Sequence, residues 1–364
     1  MKRFLALFAA ACFVVSAPAQ DRQASATDRV VRSADSFLAT LTQAQRQQVL
    51  YAFDDQAQRT RWSNFPAGVV RRGGISLKQM SPAQREAAMQ LLAVVLSPTG
   101  LQKVNEIRQA DDDFKVNGSK RGPLGNGGPP GGPGASGSAG GKPAFSSDDL
   151  FGSDLYYLSI LGKPSATQPW MLQFGGHHLA LNITIAGDQG VLTPSLTGAQ
   201  PAVFTLNGKT VRPLGRESDK ALALLQSLNE AQRRRAVLGY TVADLVLGPG
   251  QDGKSIVPDG LKASEMDAAQ RALLLDVIAE WAGIVNAPSA AIRMDRLKTE
   301  LRDTWFAWSG PVTGKAGDNI MAYYRIQGPH LVIEYAPQSD EPGNHVHTIY
   351  RDPTNDYGRA LVKP

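Results

Sequence analysis

One six-residue pattern occurs four times in this chain and predicts four helix starts. Residues 41–46, 80–85, 228–233 and 266–271 each contain an apolar residue, a helix-capping residue (Thr, Ser, Asn or Asp), any residue, and then Ala-Gln-Arg. A capping residue followed three positions later by Gln is the capping-box pattern, and the preceding apolar residue suits a hydrophobic staple. We therefore expect a helix to begin just after each capping residue.

The spacing of these starts indicates an internal duplication. The starts at 41 and 80 recur at 228 and 266, an offset of 187 and then of 186 residues. After each helix pair come runs rich in aromatic and β-branched residues, separated by Gly or Pro, which predict antiparallel strands. These runs are 155–160, 170–174 and 178–185 in the first copy, and 304–308, 320–327, 330–335 and 345–350 in the second. The predicted fold is α+β, with two duplicated lobes, each a helical hairpin plus a small antiparallel sheet, related by a pseudo-twofold axis.

The duplication divides the chain into three parts. Residues 1–19 are predicted to be a signal peptide, residues 20–215 the first α+β repeat, and residues 216–364 the second repeat, which carries most of the histidines. His178 and His330 occupy matching points of the two copies but are only 152 positions apart, so the first copy contains an extra segment. That segment is a Gly-, Pro- and Ser-rich insertion at about 117–143. Its composition predicts disorder, because it has too few apolar residues to form a packed structure.

The N-terminus has the parts of a secretory signal. Lys2 and Arg3 precede an apolar run at 4–15, and small residues at 17–19 suit signal peptidase, so cleavage is expected after Ala19. A lipoprotein signal ending at Cys12 is the alternative interpretation, although it would leave a very short apolar core. The apolar run is too short for a transmembrane helix, and no later stretch is longer. The mature protein is therefore predicted to be periplasmic or secreted, without a transmembrane segment.

Composition argues against nucleic-acid binding and against cysteine ligands for a metal. The chain has 38 Lys and Arg against 33 Asp and Glu, and two of the basic residues lie in the signal, so the mature chain is close to neutral. The basic residues are dispersed, apart from residues 233–235 on a predicted helix, so nucleic acid is not an expected partner. Cys12 is the only cysteine and would leave with the signal. A metal site in the mature chain would therefore use His, carboxylate, amide or water ligands.

The five histidines lie at positions 177, 178, 330, 345 and 347, all in the C-terminal half of the chain except the first two, which come just before its midpoint. His178 and His330 each open a strand-like run and are followed four residues later by Asn182 and Glu334, which share their strand face. His177 should point to the opposite face from His178. A histidine on a strand is often a hydrogen-bonded core residue, and that structural alternative applies to each of them.

His345 and His347 are two residues apart, so they share a strand face from which both rings can reach one ion. Imidazoles and a carboxylate are suitable ligands for zinc, copper or iron. We therefore predict one divalent transition-metal site between the two lobes. Its predicted ligands are His178, His330, His345, His347 and Glu334.

Glu334, Arg351 and Asp352 are the predicted catalytic residues. Glu334 lies in an otherwise apolar strand, where a carboxylate needs a cation or hydrogen-bond donors. Arg351 and Asp352 follow the histidine pair and could orient a ring or bind an anionic substrate group. The structural alternative for this segment is a tight turn, because residues 352–358 contain the Asp-Pro, Asn-Asp and Gly combinations that favour turns.

Several phrases of the sequence resemble one protein family. They are residues 174–182, 324–329, 333–335, 344–353 and 355–358. Together they resemble a family of secreted bacterial and fungal proteins known as a domain of unknown function, DUF3500. The resemblance extends over nearly the whole mature chain apart from the Gly/Pro-rich insertion. The resemblance implies that the protein is secreted, but it does not indicate which reaction, if any, the protein catalyses.

Three functions remain open. The first is a secreted or periplasmic metal-dependent enzyme acting on a small-molecule or peptide substrate, a hydrolase with zinc or an oxidoreductase with copper or iron. The second is a non-catalytic ligand-binding protein of the cell envelope, and the third is a structural module stapled by a closed metal site. The histidines have no Cys or Met beside them, which argues against a carrier of Cu(I) and favours catalysis over metal storage.

Overall fold

The computed structural model describes residues 25–118 and 147–362. The predicted signal peptide at 1–19 lies outside these residues, and so does the predicted insertion from residue 119 onward. The helices are α1 (Ala26–Thr40), α2 (Gln43–Val49), α3 (Gln56–Arg59), α4 (Pro82–Val95), α5 (Pro98–Asn117), α6 (Ser147–Leu150), α7 (Gly215–Ser227), α8 (Glu230–Ala236), α9 (Ala268–Ala282) and α10 (Ala287–Glu300). Short 3-10 helices cover Leu77–Gln79, Ala263–Glu265, Leu301–Asp303 and Asp356–Leu361.

The strands are β1 (Leu50–Tyr51), β2 (Ile75–Ser76), β3 (Tyr157–Leu161), β4 (Trp170–Gly176), β5 (Leu179–Ala186), β6 (Gln189–Ala199), β7 (Phe204–Leu206), β8 (Lys209–Val211), β9 (Leu261–Lys262), β10 (Trp305–Ser309), β11 (Tyr323–Gly328), β12 (Leu331–Pro337) and β13 (Val346–Arg351). Among the described residues, no helix is both long enough and apolar enough to cross a membrane.

The four predicted helix starts are confirmed. Thr42, Ser81, Asn229 and Asp267 each cap a helix, and in each case the Gln three residues later completes a capping box. The helices that begin there differ in length, because α2 and α8 end after two turns. The long helices therefore pair differently from the predicted hairpins: α1 packs on α4, and α7 packs on α9.

The strands form one large sheet. Its order is β1-β3-β4-β5-β6-β13-β12-β11-β10-β9, with β2 also paired to β3, while β7 and β8 form a separate hairpin. The pairing of β1 with β3 is parallel, and the pairings from β3 to β9 are antiparallel. The prediction of a mixed protein with antiparallel strands is confirmed. The two small sheets that were expected are joined into one, because β6 and β13 pair along residues 195–199 and 346–350.

The two faces of the sheet have different coverings. On one face, alternate strand residues pack against the long helices in two apolar clusters, one for each half of the chain. On the other face, Leu196 of β6 and Ile349 of β13 pack against Trp62 and Tyr357, which lie outside the long helices. We call this second face the loop face, because residues 52–74, residues 237–260 and the C-terminal segment cover it. His347, Glu334 and Arg351 are on the loop face by the alternation of their strands.

Candidate metal centre

Three histidine rings meet at one end of the junction between β6 and β13. His178 is the second residue of the two-residue turn between β4 and β5, with a φ of +58°. His345 precedes β13, and His347 is the second residue of that strand. On β6, Gly198 lies opposite His347 and donates its backbone N–H to the His178 carbonyl at 2.7 Å. Gly198, on the strand between them, therefore lies between His178 and His347.

The ring nitrogens of the three histidines are close enough to share one ion. Nε2 of His345 is 3.1 Å from Nε2 of His178 and 3.1 Å from Nε2 of His347. The three potential ligand atoms all lie within 4.8 Å of one another. Zn–N bonds at tetrahedral angles separate two ligand atoms by roughly 3.3 Å. The group could therefore hold a metal ion.

Two carboxylates face the outer nitrogens of these rings. Nδ1 of His345 is 2.9 and 3.0 Å from the two oxygens of Asp340, and Nδ1 of His347 is 3.5 Å from Oδ1 of Asp244. A neutral ring carries its proton on the nitrogen that faces a carboxylate, so the Nε2 lone pairs point into the cluster. Protein metal sites commonly contain this carboxylate–histidine arrangement, which fixes the tautomer of the ring.

Burial keeps the rings of His178 and His345 in their neutral form. Burial, together with repulsion from His177 and His345, holds the pKa of His178 well below its usual value. Burial and the neighbouring His347 also lower the pKa of His345, against the opposing effect of Asp340. A neutral imidazole is the form that binds a metal ion.

His177 supports His178 from the buried side. Strand geometry predicts opposite faces for the two rings, but the pair lies in a turn, and the rings stack with their centroids 3.8 Å apart. Nδ1 of His177 is 2.7 Å from Oδ1 of Asp111 on α5, and both residues are buried. The His178 ring is therefore held between its stacked neighbour and Gly198.

Asn64, on the loop between α3 and β2, reaches the same rings. Its backbone carbonyl accepts the N–H of His178 at 3.1 Å. Its side-chain nitrogen Nδ2 is 3.4 Å from Nε2 of His347. Asn64 is only 8 % exposed, so its amide forms part of the buried wall of the cluster.

One guanidinium group fixes this loop against the turn that carries His178. Arg72 donates from Nη2 to the carbonyls of Ser63 and Phe65, the two neighbours of Asn64. The same nitrogen is 2.8 Å from the carbonyl of Gly176, which ends β4. Burial lowers the pKa of Arg72 to about 10, so the side chain stays charged at neutral pH.

His330 does not join the cluster. It is the second residue of the turn between β11 and β12, just as His178 is in its own turn, but its Nδ1 is 2.8 Å from Oε1 of Glu300. Three successive antiparallel pairings separate β5 from β12, so these two strands run in opposite directions. The turns that precede them therefore lie at opposite ends of the sheet. The prediction that His330 shares an ion with the other histidines is corrected for this reason.

Glu334 is also not among the converging residues. Its Oε1 accepts from the Tyr323 hydroxyl at 2.7 Å, and its two oxygens accept from the backbone N–H groups of residues 246 and 247 at 2.8 Å each. Burial raises the pKa of Glu334, and these donors act against that effect. The carboxylate, predicted as a metal ligand and catalytic group, instead anchors the segment that brings Asp244 to His347.

Arg351 and Asp352 bind other parts of the chain. Arg351 donates to the carbonyls of residues 247 and 248 at 2.7 and 3.0 Å and pairs with Asp252 and Asp356. Asp352 pairs with Arg293 of α10 at 3.0 Å and accepts from residue 354. These contacts match the structural alternative of a folded C-terminal turn. Asn182, expected to share a strand face with His178, accepts from Gln173 and donates to the carbonyl of residue 194.

Sequence reasoning did not identify Asn64, Asp244, Asp340 or Gly198. Asp340 precedes His345 by five positions, so an acidic residue close to the histidine pair was a usable signal. Asn64 and Asp244 are 283 and 103 positions from His347, and their local sequence does not connect them with it.

The geometry defines a mixed α/β protein whose large sheet carries a three-histidine group able to hold a metal ion. The chain belongs to the family described as "Protein of unknown function (DUF3500)", whose family model matches residues 23–359. The resemblance seen in the sequence is thereby confirmed. Neither the curated proteins nor the solved structures compared with the chain gave a match.

Proposed function

We propose that this protein is a metal-dependent enzyme in which His178, His345 and His347 hold a divalent transition ion that activates water for hydrolysis. The observation that carries the proposal is the position of Nε2 of His345, 3.1 Å from the corresponding nitrogens of both other rings. Nitrogen ligands suit zinc, and the two 3.1 Å separations are close to the roughly 3.3 Å of a tetrahedral site. The same imidazoles also suit copper or iron, with which the site would support an oxidoreductase.

A cation accounts for this arrangement better than a purely hydrogen-bonded cluster does. In the neutral tautomers favoured by Asp340 and Asp244, the Nε2 atoms of His345 and His347 are both acceptors, and two acceptors 3.1 Å apart repel each other. A proton could bridge them, but burial lowers the pKa of His345 and so opposes protonation. A divalent ion would bind the lone pairs without requiring an additional proton.

An open site is favoured over a closed structural one. Three protein ligands leave a fourth position for water or substrate, as in catalytic zinc sites, whereas structural zinc sites have four protein ligands. The carboxylates that orient the rings are half-exposed, since the side chains of Asp340 and Asp244 are 51 % and 56 % exposed. Solvent therefore reaches the Nδ1 side of the cluster, and the side chain of the central His345 is itself 13 % exposed. A bound zinc ion would lower the pKa of a water ligand to about 7 and supply hydroxide at neutral pH.

The proposal is tested by metal analysis of the full chain purified without an affinity tag, followed by assays with ester, phosphodiester and peptide substrates. We expect one zinc ion per chain, hydrolysis that is lost with a chelator and restored by zinc, and loss of both metal and activity in His347→Ala. The matched control is His330→Ala, which removes a histidine outside the cluster.

Three results would contradict the enzyme hypothesis. Absence of a bound metal, with no binding tighter than about micromolar, would remove it together with the metal staple. A cobalt-substituted form without an exchangeable water ligand would favour the structural staple. A bound metal with an open position but no turnover of any substrate class would favour a ligand-binding protein of the cell envelope.

We also propose that the two halves arose by duplication and are related by a pseudo-twofold axis. Gln45 and Gln84 exchange side-chain hydrogen bonds, and so do Gln232 and Gln270. In the large sheet, the order from β2 to β6 is followed by the reverse order of the second half, from β13 to β9. In an experimental structure, the two halves should superpose on both helices and strands after one rotation. A match of the helices alone would contradict the proposal.

Export is proposed on the basis of the N-terminal sequence, with cleavage after Ala19. The test is N-terminal sequencing of the mature protein from its native host. A chain that begins at Gln20 would support the proposal, and a chain that begins at Cys12 would favour the lipoprotein alternative.

A further inference from the structure

We infer that Asn64 is a positioning residue that holds the oxygen ligand at the fourth position of the metal centre, first water and then an oxygen of the substrate. The inference rests on the proposed function, because it requires an ion on the three histidines. It also names the class of ligand that the site favours, which is an oxygen atom that carries or develops negative charge.

The first support is the location of the Asn64 amide. Nδ2 is 3.4 Å from Nε2 of His347, so in the metal-free chain the amide lies beside the nitrogen that an ion would bind. Once an ion takes that lone pair, the amide N–H needs another acceptor, because a buried donor without one is costly. The fourth ligand of a tetrahedral ion lies roughly 3.3 Å from each nitrogen ligand, so an oxygen ligand on the Asn64 side of the ion would be within reach of the amide.

The second support is the rigidity of this position. Arg72 binds the carbonyls on both sides of Asn64, and the Asn64 carbonyl accepts the N–H of His178. The backbone that carries the Asn64 amide is therefore fixed relative to the ligand turn before any substrate arrives, and the side chain is buried. A donor that is already in place stabilises negative charge without a cost of reorganisation, which is how oxyanion-binding groups work in enzymes.

The third support is the kind of group that Asn64 presents. A neutral amide donor adds no charge that would repel a metal-bound hydroxide or the oxyanion of a carbonyl or phosphoryl substrate. The carboxylates at the site, Asp340 and Asp244, face the Nδ1 atoms of the rings instead. Among the described residues that contact the three rings, Asn64 alone brings a side-chain N–H to the Nε2 side of the cluster.

The test uses the full chain loaded with cobalt(II), whose visible absorption reports the ligands of the ion, and acetate as the oxygen-anion probe. Asn64→Ala should keep one cobalt per chain but bind acetate about fivefold more weakly, the effect of one net hydrogen bond. Asn64→Asp should weaken acetate binding further, because a carboxylate would repel the anion. Both variants keep the backbone carbonyl that binds His178. Asn105→Ala on α5, whose amide accepts from Arg108, is the matched control and should bind acetate normally.

Two results would overturn the inference and leave the metal site intact. One is an unchanged acetate affinity and cobalt spectrum in Asn64→Ala. The other is a loss of cobalt affinity as large as that of His347→Ala, which would make Asn64 a metal ligand. If the unaltered chain binds no cobalt, the proposed function itself fails, and this result is visible before acetate is added.

Discussion

The ring of His178 packs directly over Gly198. A Cβ atom added to Gly198 would lie 3.1 Å from Cδ2 of His178 and 2.8 Å from the carbonyl oxygen of Val346. The first contact is with a ring held by stacking, and the second is with the backbone of the paired strand, so neither can yield easily. The ring of a turn residue on one strand can therefore approach histidines two strands away only because the strand between them carries no side chain at this point.

Gly198→Ala should consequently weaken metal binding. The added methyl group would push the His178 ring away from His345 and disturb the pairing of β6 with β13. We expect the zinc affinity to fall by at least about tenfold and the free energy of unfolding to fall by about 1–3 kcal/mol, the usual cost of overpacking. Zinc titration and chemical unfolding measure the two effects. Gly239→Ala is the control, because its Cβ would meet nothing within 4 Å. Equal zinc affinities in the two variants would contradict the role of Gly198.

Substitutions of His345 and of His330 should have very different effects on zinc affinity. His345→Ala removes the ring at the centre of the cluster, so we expect its zinc affinity to fall by at least about a hundredfold. His330→Ala removes a ring that contacts Glu300, so its zinc affinity should stay unchanged. Competition with a chromophoric zinc chelator measures both. If His330→Ala lost zinc as strongly as His345→Ala, the assignment of the ligands would be wrong.

The helix starts were predictable because a capping box is a local pattern. All four Gln side chains act within three residues of their capping residue, so the sequence contains the whole motif. The joining of the strands into one sheet was not predictable in this way. It depends on the pairing of Gly198 with His347 and of their neighbours, which are about 150 positions apart. Local strand propensity does not specify such a partner.

The candidate site likewise has one part that local sequence predicts and one part that it does not. His345 and His347 could be paired from their spacing alone, because alternate residues of a strand share a face. His178 and His330 were assigned together because they match in the duplicated sequence, and this assumed that matching positions meet in space. The two turns lie at opposite ends of the sheet, so only His178 meets the pair. Strand direction in the assembled sheet decides which copy contributes a ligand, and no local pattern encodes it.

The carboxylates behind the rings should tune the metal affinity without holding the fold. Asp340→Asn replaces the charged acceptor at Nδ1 of His345 by a neutral amide, so the ring becomes a weaker ligand. We expect the zinc affinity to fall by about 10- to 100-fold, as is typical when such partners are lost. The melting temperature of the metal-free chain should change little, because the Asp340 side chain is 51 % exposed. Asp295→Asn, at an exposed pair with Lys298, controls for the change of charge.

Glu334→Gln should act on stability more than on metal binding. The amide group would put an N–H donor against one of the three donors that the carboxylate accepts from, so at least one hydrogen bond to a buried charge is lost. We expect the free energy of unfolding to fall by about 2–4 kcal/mol, measured by urea denaturation in the presence of a chelator. Zinc affinity should fall only several-fold, through the loosened segment that carries Asp244. Glu230→Gln, on an exposed side chain, is the control. A hundredfold loss of zinc with unchanged stability would instead identify Glu334 as a ligand.

The metal-free protein should lose stability as the pH falls below about 6.5. The folded-state pKa values of His178 and His345 are lowered, chiefly by burial, whereas both rings regain ordinary values in the unfolded chain. As the pH drops, the unfolded chain takes up protons that the folded chain cannot accept, so this contribution is fully present above the unfolded pKa and is lost with acidification. Each ring should cost roughly 1.4 kcal/mol at one pH unit below its unfolded pKa. Unfolding measured from pH 8 to pH 5.5 in a chelator tests this, and His345→Ala should show a dependence smaller by about that amount. An identical dependence in the variant would mean that the His345 ring is not kept neutral by its surroundings.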